Sequence, residues 1–109
     1  MKHIKQYEEI NQNEPKIDDF VICEEENTAI DDVEIVQFTK NNIGQIMEIK
    51  STDLYKYRIK YDDVPDNLSH KLLLYNNVYT RPMARDEIKY WATDKNELLP
   101  LISANKYNL

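Results

Sequence analysis

The stretch "YKYRIKYDDVP", residues 55–65, sets Tyr55, Tyr57, Ile59 and Tyr61 on one side of the chain and Lys56, Arg58 and Lys60 on the other. A period of two is the mark of a β-strand with one buried face, because successive side chains leave the pleat in opposite directions. Asp62 to Asn67 ends that strand in a proline-containing turn. Immediately before it, "IGQIMEIK" (residues 43–50) reads as the partner strand, with Ile43, Met47 and Ile49 on one face. Between them Ser51 to Asp53 offers short polar side chains that bond back to the local backbone, as turns require. The two strands therefore make an antiparallel hairpin with one buried face. Gly44, the only glycine in the chain, marks a bulge or a close backbone approach at its start.

Outward from the hairpin, Ile17 to Glu25 reads as a first strand, rich in β-branched and aromatic residues and bounded by acidic turns. A loop and a short helix follow, with Ile30, Val33, Val36 and Phe38 near helical spacing and Asp31 or Asp32 as its cap. Asn41 or Asn42 is expected to close that helix in the left-handed conformation. His70 to Pro82 holds one or two short strands around the Asn76-Asn77 turn signal. The tail reads as helical. Ile88 and Trp91 lie three apart behind Asp86 and Glu87, which suit a first helical turn. Asp94 with Glu97 forms a capping-box pattern ahead of Leu98, Leu101 and Ile102, and Pro100 places a helix start or a kink. At the other end, Ile4, Tyr7 and Ile10 give a short stripe that Asn11 to Pro15 breaks. The expected layout is an arm at 1–16, a β domain at 17–82 and a helical extension packed on it at 83–109.

The order of strand, connecting helix, glycine-led strand, turn and aromatic strand resembles the small SH3-like barrels, in their KOW and Tudor forms. The residues that carry the likeness are Gly44, Ile46, Tyr57, Ile59 and Tyr61, within Ile17 to Arg81. The resemblance implies a mainly β fold with α additions, either a small barrel or a bent antiparallel sheet. The two ends are similar to small proteins of tailed phages, through Met1, Lys2, Ile4, Lys5 and Glu8, then Glu87 to Trp91 and Asn105 to Leu109. That second likeness leaves the function open, with host-factor inhibition, anti-defence binding and minor assembly work as the candidate roles in that setting.

Composition narrows the function. The formal net charge is −6 over 109 residues, and 11 of the 20 carboxylates precede Ile35. An acidic chain repels a phosphate backbone at long range, so nucleic-acid binding is disfavoured, although the remainder leaves room for a local basic patch. A single cysteine, Cys23, leaves no internal disulfide, and no signal peptide or membrane span is visible; a cytoplasmic location is expected. His3 and His70 form no helical ligand pair, the paired aspartates lack a calcium-loop pattern, and one glycine cannot build a phosphate loop. No catalytic, metal or cofactor residues are assigned, and an enzyme is not expected. Tyr55, Tyr57, Tyr61, Tyr75 and Tyr79 suit core or rim packing better than a cation-binding cage. The expected function is a non-enzymatic module that binds a protein partner through Lys56, Arg58, Lys60, Tyr75, Tyr79 and Trp91. The alternatives are a nucleic-acid-binding module using the Lys56, Arg58 and Lys60 face, and a subunit that self-associates through the arm. Trp91 has the further option of plugging an open end of the core.

Overall fold

The computed structural model describes residues 14–25 and 33–107. Within them the chain is mainly β. The elements are β1 (Phe20–Cys23), α1 (Val33–Asn41), β2 (Gly44–Ile49), β3 (Tyr57–Tyr61), β4 (Leu73–Tyr75), β5 (Val78–Met83), β6 (Ile88–Ala92) and α2 (Leu99–Tyr107). The strands form one six-stranded sheet in the order β4-β5-β3-β2-β1-β6, with every pairing antiparallel. The stripe Ile4, Tyr7 and Ile10, and the caps Asp31 and Asp32, lie outside the described residues. Among the described residues no helix is long and apolar enough to cross a membrane.

The hairpin read from residues 43–61 is β2 and β3, and its inner face is the core. Tyr57, Ile59 and Tyr61 are buried, as their alternation requires. Tyr55 is not part of that face: it lies before the strand in an exposed loop. In β2 the expected grouping of Ile43, Met47 and Ile49 fails for a specific reason. Pairing runs Ile46 with Ile59 and then Glu48 with Arg58, so Met47 is an extra residue. One inserted residue reverses the alternation beyond it. Ile46 is therefore fully buried, Ile49 packs on the same core, and Ile43 packs against a second cluster. Gly44 fulfils the other expectation, a close approach: an added Cβ would lie 2.3 Å from Ile59 Cγ2 and 2.8 Å from Tyr61 Cε1.

The same irregularity explains the tail. Residues 88–92 are a strand, β6, where a helix was expected, and it pairs with β1. Its register passes from Tyr90 opposite Ile22 to Ile88 opposite Cys23, so Lys89 is an extra residue. That bulge puts Ile88 and Trp91 on one face although they are three apart, a spacing that mimics a helix. The sheet thus continues past residue 82, and among the described residues of the tail only 99–107 form an α-helix. Pro100 falls in the first turn of α2, where its missing N–H costs nothing. Asp94 caps the turn before it, accepting the Asn96 N–H at 2.9 Å.

One cluster collects Val21 and Cys23 of β1, Ile35 and Phe38 of α1, Ile46, Tyr57, Ile59, Tyr61, Met83, Ile88 and Trp91. Strands β5 and β6, four positions apart in the sheet order, share it, so the sheet curls around it. Arg81 on β5 binds Glu25, just beyond β1, through two hydrogen bonds and fixes that curl. The other side of β1 carries Phe20 and Ile22, which with Ala92, Leu98 and Ile102 form a second cluster under α2. In α1 the buried residues are Ile35, Val36, Phe38 and Thr39, while Val33 is exposed. Its end is closed by the Asn42 amide, which donates to the Phe38 carbonyl at 2.8 Å. Neither Asn41 nor Asn42 adopts the left-handed conformation expected of it.

Candidate functional site

With the tyrosine face buried, the surface left on the hairpin is the outer side of β3 and its neighbours. Arg58 organises it. Its Nε donates to Glu48 Oε1 at 3.1 Å, its Nη1 to Thr80 Oγ1 at 3.2 Å, and Thr80 Oγ1 donates to the Leu73 carbonyl at 2.9 Å. These bonds run across β2, β3, β5 and β4. The guanidinium also sits 4.6 Å from the centroid of the Tyr75 ring, where the ring's negative face attracts it. Lys60 stands in a cross-strand row with Gln45, Thr80 and Leu73. Lys56 precedes β3 and carries its ammonium to the rim, 5.4 Å from the Tyr57 ring centroid. Beside this face a cleft of about 330 Å³ opens between Leu54 and Tyr55 of the β2–β3 loop and Glu48, Arg58 and Pro82.

The outer face ends at β4. This strand is at the edge of the sheet, and Leu73, Leu74 and Tyr75 are 56%, 62% and 39% exposed. The Asn76-Asn77 signal is met: both residues have positive φ, 50° and 67°, as a two-residue type I′ hairpin turn requires. That turn makes Tyr75 and Val78 the pair that exchange backbone hydrogen bonds. Leu74 and Tyr79 then form the alternate pair, and the Leu74 N–H and C=O point away from β5. No described strand lies on that side. The edge also lacks the usual guards, since Leu73 to Asn77 contains no charge and no proline.

Of the six expected contact residues, the outer face brings together Arg58, Lys60 and Tyr75, with Lys56 at its rim. Tyr79 points to the other side of β5 and packs against the core. Trp91 is 1% exposed on the inner side of β6, with the Arg85 guanidinium 4.6 Å over its ring. It cannot be a contact surface as folded. Leu73 and Leu74 were missed because the run Leu72 to Tyr75 has no alternation, and an apolar run alone does not distinguish an edge from a core. Leu72, the first of that run, is indeed core.

Cys23 is fully buried, and burial pushes its thiol up to about 12 from an ordinary 9.0, with the Glu87 and Glu25 carboxylates adding to the shift and the adjacent Tyr61 opposing it. Such a thiol stays protonated at neutral pH and is a small packing residue. Burial likewise raises Tyr61 and, less, Tyr57. These acids hold their protons more tightly in the native state than in the unfolded chain. Their contribution to stability is whole below the unfolded Cys23 value near 9.0 and falls as pH rises toward about 12. Urea midpoints measured from neutral pH upward should stay level until about pH 9 and then decline, with tyrosine ionisation at 295 nm tracking the unfolding. A midpoint that stays level throughout that range would contradict the buried placement of these groups.

Among the described residues no group of three or more His, Cys, Asp or Glu side chains is placed to hold a metal ion. No protein-family model, curated protein or solved structure matches this chain.

Proposed function

We propose that this chain is a non-enzymatic module that binds a protein partner through the outer face of β3–β5 and the β4 edge. The observation that carries this reading is the apolar edge strand: three consecutive residues, Leu73 to Tyr75, all exposed beside a face bearing Arg58 and Lys60. Contiguous exposed apolar surface with a polar rim marks interaction sites, and it opposes solubility unless something covers it. The curled sheet and the strand order that sets β1 between β2 and β6 support an SH3-like barrel as the fold type. The terminal likeness to small tailed-phage proteins supports an accessory role on a host or phage protein. The single buried thiol of Cys23 supports a reducing compartment such as the cytoplasm.

Nucleic acid is the less favoured target. The chain is acidic overall, so a long phosphate backbone is repelled at a distance. The test is capture by the immobilised protein from lysate with and without nuclease treatment, beside a variant with Lys56, Arg58 and Lys60 all changed to serine. A saturable protein partner that survives nuclease and is lost with the variant is the expected result. Recovery of nucleic acid that disappears at raised salt would replace this reading.

A further inference from the structure

We infer that the partner supplies an extended segment that adds to β4 as a seventh strand, and that this segment alternates apolar with acidic side chains. The inference rests on the reading of β4 as the contact surface and names what occupies it. Three features of the edge select a strand over a helix or a globular face. The Leu74 N–H and C=O point outward and have no neighbouring described strand, which is the pattern that strand addition satisfies. Leu73 and Tyr75 flank Leu74 on the outer face, so they meet the two outward residues on either side of the one opposite Leu74. Finally, the exposed parts of three side chains amount to a few hundred Å² at most. A standard stable interface buries about 800 Å² on each partner. A second copy paired at this edge would therefore be held far more weakly than a stable dimer, whereas a short segment anchored by backbone bonds suits the available surface.

Charge sets the second half of the chemistry. Lys60 lies in the same cross-strand row as Leu73 and makes no ion pair among the described residues, and Arg58 leans across Thr80 to Tyr75. Among the described residues, Glu48 is the one carboxylate bonded into this network. A segment with carboxylates on its outward side is attracted to this face, and one with lysines there is repelled.

The test uses blocked hexapeptides on the intact chain: one alternating valine and glutamate, one alternating valine and lysine, and the glutamate peptide N-methylated on alternate amides. Amide exchange at Leu74 is read by NMR, together with binding affinity. The glutamate peptide is expected to slow Leu74 exchange at least tenfold at saturation, with the lysine peptide about tenfold weaker and the N-methylated one inactive. Leu74→Pro, which removes the N–H itself, should abolish peptide binding and keep the fold, because this N–H bonds nothing within the sheet. No protection of Leu74 at millimolar peptide overturns the inference, as does equal binding of the N-methylated peptide. A mass that doubles with concentration, with Leu74 protected in the absence of peptide, also overturns it and makes a second copy the occupant. Lysate capture that persists in Leu74→Pro and is not competed by the glutamate peptide sinks strand addition alone, while absence of any specific capture by the unaltered chain sinks the binding-module reading itself.

Discussion

Changing Gly44 to alanine is expected to remove about 3 kcal/mol of folding stability, the upper end of what overpacking a core costs. The penalty is steric. Gly44 is not among the residues with positive φ, so its backbone suits alanine, but the new Cβ would be driven to 2.3 Å from Ile59 Cγ2 and 2.8 Å from Tyr61 Cε1. Neither side chain has room to give, since Ile59 is 0% and Tyr61 3% exposed. Urea denaturation followed by far-UV circular dichroism measures the loss. Ile59→Ala opens a cavity of its own, yet the double variant should lose clearly less than the sum of the two, because the removed Cγ2 is the atom in the way. Strict additivity would place the clash elsewhere.

Trp91→Ala should be the most damaging single change, at about 3–5 kcal/mol. A chain of this size is held by only about 5–15 kcal/mol, so the variant would be largely unfolded at modest temperature. The indole fills the inner face of β6 among Val21, Ile88 and the tyrosines, and Arg85 covers it. Its N–H meets no acceptor among the described residues, so a ring without that donor is tolerated better. Trp91→Phe should therefore recover more than half of the loss. Thermal and urea unfolding by circular dichroism give both values. A loss below about 1 kcal/mol for alanine, the scale of an exposed site, would mean that Trp91 lies at the surface.

The hairpin was legible because Tyr57, Ile59 and Tyr61 keep an unbroken period of two, and the turn at Asn76-Asn77 because few residues accept positive φ. The misreadings of two segments, β2 and β6, have one physical origin. In β2 the bulge at Met47 separates two core residues, Ile46 and Ile49, by three positions, and in β6 the bulge at Lys89 does the same to Ile88 and Trp91. A bulged strand presents the spacing of a helix, and no local property of "EIKYWA" distinguishes the two. Pairing with β1, far away in sequence, decides it. The candidate contact residues were legible to the extent that they lie on a regular strand: Arg58 and Lys60 followed from alternation. Leu73 and Leu74 did not, because exposure at a sheet edge depends on which strand is last in the sheet, and that is a property of topology.

The central claim is a division of labour between two faces: the inner tyrosine face holds the fold together, and the outer face with the β4 edge is free to bind. Hydroxyl-radical footprinting of the protein, alone and with its captured partner, tests it most directly. In the free protein Leu54, Leu73, Leu74 and Tyr75 should be labelled and Tyr57, Tyr61 and Trp91 spared, and the partner should then protect Leu73, Leu74 and Tyr75. Labelling of Trp91 or Tyr61 in the free protein, or protection confined to exposed Leu99 of α2, would contradict the account.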